Sequence, residues 1–345
     1  MWVQAKTEIC SKITSPLHKY DILDFHDRIQ INTMVMLVNS TFPYVNFVIN
    51  ARWNPNYTFL VHTPLNKISI SLLDVRGRPI GYPPLHAHHV HINTDFHWFE
   101  VHGDYYPDMY SRSTPPGTSI AMHAPPEIEG VVNLVDADVE FIAFSLQVEF
   151  FKARESSRRI SKMWFQSELH SDRQCWARYT VPNYASYSVW QGEFALDGRF
   201  ETGWFHTHRA RSNAVFLFKG RLSEFICDDI VCGQYFGRVK NIKSLHQYAL
   251  KRKNLLCHEI HDSVNDVSVF INRDYYDRHG SFSCRPFGFT RGETWSMLII
   301  HSPWFKKNEI VKQHSNIFMY VTPNRSTDQG RAFMNDGSFL QVNDL

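Results

Sequence analysis

The stretch Val139-Glu140-Phe141-Ile142-Ala143-Phe144-Ser145-Leu146-Gln147-Val148-Glu149-Phe150 alternates apolar residues with others over most of its length. Successive side chains of a β-strand point to opposite faces, so Phe144, Leu146, Val148 and Phe150 share one face and Glu149 lies on the other. Shorter runs of this kind, separated by Pro, Gly and Asn, recur on both sides of it. This pattern predicts an all-β fold.

The length of the chain predicts more than one domain. At 345 residues it exceeds what a single hydrophobic core usually organises. We expect two tandem antiparallel β-sandwich domains, jelly-roll-like, at residues 1–155 and 179–345, joined by a linker at residues 156–178 that follows a charged segment. One short helix is expected within residues 241–257, where apolar and basic residues are interspersed.

Composition and motifs narrow the function classes. The formal net charge of +2 predicts no nucleic-acid partner, and the absence of any run of eighteen apolar residues predicts no transmembrane segment. The sequence contains no Gly-rich phosphate loop, no paired CxxC, no HExxH motif and no nucleophile elbow. Any chemistry is therefore expected to depend on histidines.

Cysteines and glycosylation signals point to an oxidising compartment. The six cysteines, at positions 10, 175, 227, 232, 257 and 284, allow up to three disulfides in fifteen possible pairings. Three N-x-S/T acceptors occur, at Asn39, Asn56 and Asn324. These features favour an extracellular or secretory-pathway glycoprotein, although no signal peptide is visible at the start of this numbering. The alternative is a cytosolic chain with six buried thiols.

The stretch Trp204-Phe205-His206-Thr207-His208 places two histidines on one face of a predicted strand. Two imidazoles that converge on one point form half of a metal site. The alternative is a pair of surface histidines on an ordinary strand. A second cluster upstream favours the metal interpretation.

That second cluster is Leu85-His86-Ala87-His88-His89-Val90-His91. Imidazole binds Cu, Zn, Fe and Ni alike, so the cluster indicates a transition metal without selecting one. Adjacent His88 and His89 point to opposite faces of a regular strand, so the strand must end or bulge there if both bind one ion. Otherwise the natural pairs are His86 with His88 or His89 with His91, or the histidines are satisfied by backbone and water.

The order of these features resembles the copper type II, ascorbate-dependent monooxygenases, the family of the peptidylglycine α-hydroxylating and dopamine β-hydroxylating enzymes. The resemblance spans residues 85–322. Its motifs, in order, are the histidine pair His88-His89, the turn Ala124-Pro125-Pro126, the strand Leu146-Gln147-Val148, the strand His206-Thr207-His208, the turn Gly292-Glu293 before an apolar strand, and His314 before a strand that begins at Asn316.

The resemblance implies two copper sites. His88 and His89 match the histidines of the electron-storing site, whose third ligand in the family is a histidine after Leu-Gln-Val; Glu149 stands there in this chain. His86, His91 or His102 could complete this site instead. A carboxylate ligand disfavours Cu(I), so this departure argues against unaltered family chemistry.

The second implied site, where oxygen is activated, contains His206 and His208. Its third ligand in the family is a methionine, and His314 occupies that position here. A third imidazole favours Cu(II), or zinc with one exchangeable water.

The implied substrate pocket also departs from the family. Peptide-hydroxylating members bind a substrate carboxylate through an Arg and a Tyr, where this chain has Trp204 and Phe318; Asn316 remains. Burying a carboxylate without a donor is costly, so an apolar or aromatic substrate is expected and a glycine-extended peptide is not.

Three functions follow from these residues. The first is a secreted copper monooxygenase that uses ascorbate and hydroxylates a small apolar or aromatic molecule. The second is a non-catalytic extracellular module that recognises a protein partner. The third is a zinc hydrolase in which His206, His208 and His314 hold a metal-bound water and Glu293 serves as the carboxylate base.

Overall fold

The computed structural model describes residues 15–16, 20–50, 61–81, 83–93, 97–101, 111–122, 126–136, 138–166, 169–172, 175–177, 179–181, 186–208, 212–222, 236–237, 241–260, 277–280, 283–301, 311–313, 315–329, 332–336 and 338–339. They divide into two compact units. The first contains the described residues of Ser11–Lys162 and Ser326–Ala332, and the second those of Met163–Arg325 and Phe333–Leu345.

The strands of the first unit are β1 Ser15–Pro16, β2 Tyr20–Asp24, β3 Arg28–Thr33, β4 Met36–Asn39, β5 Tyr44–Asn50, β6 Leu65–Leu73, β7 Leu85–Asn93, β8 His97–Val101, β9 Ser111–Ser113, β10 Thr118–Ser119, β11 Glu127–Leu134, β12 Phe141–Lys152 and β13 Arg158–Arg159. A 3-10 turn, Ser326–Asp328, also belongs to this unit.

The later strands are β14 Ser161–Gln166, β15 Leu169–Asp172, β16 Cys175–Ala177, β17 Tyr179–Val181, β18 Tyr187–Glu193, β19 Gly198–His208, β20 Ser212–Lys219, β21 Phe236–Gly237, β22 Leu255–Ile260, β23 Asp277–Gly280, β24 Ser283–Cys284, β25 Gly288–Phe289, β26 Thr294–His301, β27 Val311–Gln313, β28 Ser315–Pro323, β29 Ala332–Asp336 and β30 Ser338–Phe339. The helix α1 spans Ile242–Lys251.

Two larger sheets organise the first unit. Sheet 1 has the strand order β1-β5-β11-β7-β8, and sheet 2 has the order β2-β3-β12-β6-β9, with β4 also paired to β12. Residues alternate between buried and partly exposed along β12, where Phe144, Leu146, Val148 and Phe150 are all fully buried. The two faces predicted for this strand are therefore confirmed.

The second unit is a sandwich of two sheets. Sheet 3 has the order β23-β19-β28-β14-β29, with β25 paired to β19, and sheet 4 has the order β21-β18-β26-β20-β22-β24, with β30 paired to β18. One hydrophobic core joins them: Phe205 and Ile317 of sheet 3 belong to the same buried cluster as Trp190 and Trp295 of sheet 4. The predicted all-β fold with antiparallel sandwiches is confirmed.

Helix α1 packs on the other face of sheet 4. Asn241 caps it, since its side-chain oxygen accepts a hydrogen bond from the backbone N–H of Lys243 at 2.9 Å. Leu245 and Ala249, one turn apart, are buried against that face. The helix is shorter than the predicted range 241–257, because residues 255–260 pair with β20 as strand β22. No helix in the described ranges is long and apolar enough to cross a membrane.

A disulfide joins neighbouring strands of sheet 4. Cys257 of β22 lies directly opposite Cys284 of β24, with 4.1 Å between their Cα atoms. Cys257 is fully buried in the core that sheets 3 and 4 share. This bridge confirms the prediction of disulfide bonding and fixes one pair among the six cysteines.

The division between the units falls within the predicted linker at residues 156–178, although that range is not a strand-free connection. It falls between Lys162 and Met163, and strands β13 to β16 lie inside the predicted linker. Residues 326–332 belong to the first unit, where Ser161 Oγ donates a hydrogen bond to the Asp328 carbonyl. The charged segment at residues 152–162 contains a turn and strand β13, and it ends where the two units divide.

Two partly buried histidines make the second unit sensitive to acid. Phe216 of β20 lies near His246 of α1 and His258 of β22, with ring centroids 6.0 and 6.1 Å apart. Burial lowers the pKa of both histidines below the ordinary value of 6.5. In a folded chain they therefore remain neutral at a pH where the unfolded chain has already bound protons.

We expect acidification from about pH 7.5 to pH 5 to lower the free energy of unfolding of this unit. The stability due to these groups is complete above the unfolded pKa and is lost as pH falls toward the folded one, because the unfolded state binds more protons there. Urea unfolding at several pH values measures the slope. A His246→Gln/His258→Gln chain should show a smaller slope, and the exposed His26→Gln should match wild type; equal slopes in all three would contradict the prediction.

Candidate metal-binding strands

Strand β19 brings together residues that are far apart in the sequence. It pairs with β28 in an antiparallel register that places Trp204 opposite Phe318 and His206 opposite Asn316. Directly opposite residues of an antiparallel pair lie on the same face of the sheet. Four of the predicted site residues therefore occupy neighbouring positions in sheet 3.

The contacts of Phe318 identify the face of sheet 3 to which these positions belong. It is fully buried and stacks on Trp164 of β14, with ring centroids 5.3 Å apart and an interplanar angle of 23°. Phe205 and Ile317, the neighbours of these positions in the chain, face the core between sheets 3 and 4. The face that contains Phe318 is thus the one opposite that core, and it is lined with large aromatic residues.

The side chains of Trp204, His206, His208 and Asn316 lie outside the part that the structure describes, although their strand positions are described. His314, the predicted third ligand, lies outside the described residues altogether, as does His102. The predicted set of His206, His208 and His314 therefore stays a prediction.

A residue pair that the sequence interpretation missed adjoins the His-Thr-His strand. Strand β23 pairs with the other edge of β19 and places His279 opposite His206 and Asp277 opposite His208. The signal in the sequence is Asp277-Arg278-His279, which has the same two-residue spacing as His-Thr-His. Strands β19 and β23 lie some 70 residues apart in the sequence. The spacing of residues within either segment therefore does not show that the two pair.

In the first unit, strand β7 has an irregularity at the predicted histidine pair. Its register against β11 places His89 opposite Val131 and Ala87 opposite Val132, so His88 has no partner in β11, as in a β-bulge. The side chains of His88 and His89 lie outside the described part. The bulge is the distortion that two adjacent ligands on one strand require.

The bulge also exchanges the faces of β7. Leu85 and Ala87 before it and Val90 and Ile92 after it are all buried, so odd-numbered positions before the bulge and even-numbered ones after it face the same way. His86 and His91 consequently share the opposite face. His86 Nδ1 lies 3.2 Å from Asn133 Oδ1 and His91 Nδ1 lies 3.2 Å from Glu129 Oε1.

Glu149, the predicted third ligand of the first site, has a different partner. Its carboxylate Oε1 lies 3.0 Å from Arg28 Nε, on the face of sheet 2 opposite the buried Val148 and Phe150. His88 and His89 belong to sheet 1. Strand alternation explains the placement, because a residue between two core positions must face away from the core. Glu149 is thus ion-paired with Arg28 in sheet 2, and its role as a metal ligand stays a prediction.

Glu293, the predicted carboxylate base of the hydrolase hypothesis, is part of a turn. Its carboxylate lies 2.9 Å from Lys219 Nζ and accepts a hydrogen bond from the Thr290 backbone N–H at 3.2 Å. Gly292 beside it adopts a φ of 79°, a left-handed conformation that favours glycine. These contacts give Glu293 a role in shaping the turn before β26.

Among the residues described with their side chains, no group of three His, Cys, Asp or Glu is arranged to hold a metal ion. That set does not include the side chains at positions 88, 89, 206, 208, 279 and 314. The predicted ligand positions thus lie on a bulged strand in the first unit and on β19 in the second. The described part of the chain is an all-β protein of two units.

Comparison with known proteins assigns no family. No protein-family model matches the chain, and no curated protein matches it. The major capsid protein P2 of bacteriophage PM2 is similar over 90% of this chain and 97% of its own, with 9% identity and a TM-score of 0.33. The PBCV-1 protein VP54, fitted into a reconstruction of the virophage Sputnik, is similar over 94% of this chain and 95% of its own, with 8% identity and a TM-score of 0.25.

A xanthan lyase of Paenibacillus is similar over 88% of this chain and 25% of its own, with 9% identity and a TM-score of 0.19. At these identities and scores the similarities carry no argument about function.

Proposed function

We propose that this chain is a copper-dependent, ascorbate-using monooxygenase that hydroxylates an apolar or aromatic substrate. The observation that supports it best is the register of β19 and β28, which pairs Trp204 with Phe318 and His206 with Asn316. The resemblance to the copper monooxygenases assigns these residues to one site from positions more than 100 residues apart. Their adjacency in sheet 3 supports the proposal.

The donor types at this strand fit copper. His206 and His208 would hold the ion, and imidazole is a good ligand for copper in either of its common oxidation states as well as for zinc. Copper bound there would supply oxygen activation, with ascorbate as the source of electrons. The role of the chain is to orient the imidazoles on a rigid strand and to keep an apolar surface beside them.

The residues beside the histidine strand favour an apolar substrate. Phe318 is buried and stacked on Trp164, and the residue opposite it is Trp204. A substrate carboxylate next to these aromatic positions would lose its hydration without gaining a donor from them. An aromatic or aliphatic group would need no donor there, so we propose a hydrophobic substrate and not a peptide carboxylate.

In the first unit, His88 and His89 would hold the electron-supplying metal on the bulged strand. Because Glu149 is paired with Arg28, we propose that His91 completes this site. Glu129 contacts His91 Nδ1, and metal-ligating histidines commonly contact a carboxylate through the nitrogen that does not bind the metal. His86, whose Nδ1 contacts Asn133, is the alternative on the same face.

Copper content tests the proposal. We expect the purified chain to bind about two copper ions and His206→Ala to bind about one, because the substitution removes an imidazole from one site only. Elemental analysis measures the ratio, with the exposed His26→Ala as the matched control. Oxygen uptake that depends on ascorbate and an aromatic substrate should disappear in His206→Ala. A wild-type chain that stays metal-free in excess copper would contradict the proposal and favour the non-catalytic recognition module.

A zinc hydrolase is the second candidate, and one observation favours it. Asp277 lies opposite His208, so a carboxylate occupies a position beside the histidine strand, where Glu293 does not. Zinc on such a strand would lower the pKa of a bound water, and a neighbouring carboxylate could take up its proton. Zinc in place of copper in the chain isolated without added metal, together with ester hydrolysis, would select this candidate.

We further propose that the chain acts in the secretory pathway or outside the cell. The Cys257–Cys284 bridge supports this, since such bonds persist in oxidising compartments. The acceptor Asn39 is the last residue of β4, before exposed Ser40 and Thr41, and its Oδ1 accepts a hydrogen bond from the backbone N–H of Thr41 at 3.0 Å. Mass spectrometry after secretion from a eukaryotic host tests both features; free thiols together with an unmodified Asn39 would contradict the proposal.

A further inference from the structure

The outer face of sheet 2 has two rows of polar side chains across its three central strands, β3, β12 and β6. Buried positions alternate with partly exposed ones along these strands. Directly opposite residues of antiparallel strands share a face. We use the name polar face for the six partly exposed residues of the two rows, which are Asn32, Gln147 and Ser71 in one row and Gln30, Glu149 and Ser69 in the next.

The amides of the polar face are joined to each other and keep unused hydrogen-bonding groups. Gln30 Nε2 and Gln147 Nε2 both donate a hydrogen bond to Asn32 Oδ1, at 3.0 and 3.2 Å. In the described part of the chain, the amide nitrogen of Asn32 and the amide oxygens of Gln30 and Gln147 have no partner in the protein. An amide side chain can donate and accept at once. The polar face therefore presents donors and acceptors side by side, at positions that the amide network holds.

The one charged residue of the polar face is already compensated. Glu149 Oε1 lies 3.0 Å from Arg28 Nε. An anionic ligand would lie beside the Glu149 carboxylate, and a cationic ligand would compete with Arg28 for it, so neither charge is complementary to this surface. The polar face is instead complementary to an uncharged ligand with many hydroxyl groups, because each hydroxyl both donates and accepts a hydrogen bond.

Phe151 extends the polar face toward a cavity. It follows Glu149 by two residues on β12 and therefore lies on the same face. Together with Lys67 of β6 and residues 113–118, it lines a cavity of about 230 Å³. Pockets for drug-sized ligands have about 300–1,000 Å³, so this cavity suits a single small ring. Lys67 Nζ lies 5.1 Å from the centre of the Phe151 ring. A donor thus adjoins an apolar aromatic surface, and a sugar ring has the matching combination of apolar C–H groups and polar edges.

We infer that the polar face binds an uncharged oligosaccharide, one ring of which occupies the cavity beside Phe151. Neighbouring strands of a sheet lie about 4.8 Å apart, which is close to the length of one unit of a linear polysaccharide. Successive sugars therefore meet successive strands, where each row offers a new donor or acceptor. The inference goes beyond the proposed function, because the polar face belongs to sheet 2 and contains no histidine.

Calorimetric titration of the full chain with defined glycans tests the inference. The probes are cellohexaose, xylohexaose, mannohexaose and chitohexaose, which are linear, and a branched high-mannose glycan, which represents sugars attached to proteins. We expect at least one of them to bind with one glycan per chain. Its affinity should be the same at low and high salt, because salt screens only interactions between charges. A chelator is present throughout, so that the result does not depend on bound metal.

Substitutions on the polar face locate the binding site. Gln147→Ala and Phe151→Ala should each weaken binding of the glycan by about tenfold, because the first removes hydrogen bonds to the ligand and the second removes the aromatic surface of the cavity. Gln191→Ala is the matched control, since Gln191 is a partly exposed glutamine of β18 in the second unit; it should bind like wild type. Thermal unfolding checks that each variant is folded. Ser71→Ala, which removes only a hydroxyl, provides a smaller loss if the other two variants are unfolded.

The outcomes separate this inference from its alternatives. If no glycan binds, or if every folded variant of the polar face binds like wild type, the inference is wrong. If the wild-type chain instead self-associates without binding glycan and Gln147→Ala abolishes the association, the polar face is a contact between copies and the inference is again wrong. Binding of a linear glycan alone supports a polysaccharide ligand, and binding of the branched glycan supports a sugar attached to a protein. A chain that binds glycan but no copper retains this inference and contradicts the proposed function.

Discussion

A Cys257→Ala/Cys284→Ala double substitution should lower the free energy of unfolding of the second unit by roughly 3–4 kcal/mol. The bridge closes a segment of 27 residues in sequence separation, and opening it returns that loop entropy to the unfolded chain. Alanine avoids placing a new polar group at Cys257, which is fully buried in the core of the sandwich. Urea unfolding followed by tryptophan fluorescence measures the change, because Trp190 and Trp295 lie in that core.

Reductant provides the control for this experiment. Wild-type chain unfolded in the presence of reductant should lose at least as much stability as the double variant, because reductant opens this bridge together with any other that the six cysteines form. If the double variant unfolds at the same urea concentration as the oxidised wild type, the bridge does not stabilise the unit and the prediction is wrong.

A Gly203→Ala substitution should destabilise the second unit by roughly 1–3 kcal/mol and weaken metal binding at β19. A Cβ at position 203 would lie 2.6 Å from the carbonyl oxygen of Phe318, which no real Cβ contact allows. Because the atom in the way belongs to the backbone, no side-chain rotation relieves the clash, and β19 and β28 would have to separate. This separation would occur next to Trp204 and its partner Phe318, within the register on which the proposed site depends.

Gly288→Ala is the matched control, because a Cβ there would meet its nearest neighbour, the Gly198 carbonyl oxygen, at an ordinary 3.6 Å. Position 288 also lies in a strand that pairs with β19. Thermal unfolding and a copper titration should therefore give a clearly lower melting temperature and a lower copper affinity for Gly203→Ala than for Gly288→Ala. The Gly288→Ala chain should resemble wild type. Equal stability and equal copper affinity in the two variants would contradict the prediction, because β28 would then move away from β19 at no cost in free energy.

Predictions that depended on local alternation agree with the structure. The faces of β12 follow from the period-two pattern around Phe144 and Val148, since a strand has no other way to bury an apolar row. Strand β7 is irregular at His88 and His89, which is the condition for both to bind one ion, and that binding stays a prediction. The short helix expected within residues 241–257 is α1, and the end of that stretch pairs with β20 as part of β22.

Features that depend on long-range pairing could not be predicted from local sequence. The predicted linker at residues 156–178 contains the division between the units, but strands β13 to β16 lie in it, and β14 pairs with β28 and β29 far along the chain. Glu149, nominated as a ligand from its place in a motif, forms an ion pair with Arg28 on the neighbouring strand, and its role as a ligand stays a prediction. His279 was not nominated, because only the strand register places it opposite His206.

The amino-acid sequence by itself determined the strand-rich architecture, the faces of the long strands and the histidine-bearing segments, because side-chain alternation is a property of a few consecutive residues. Only the tertiary structure decided which cysteines join, which strand borders His-Thr-His and which charged residue pairs with Glu149. Each of these depends on strand order and register between distant segments. Register is set by the packing of a whole sheet, and no short stretch of sequence contains it.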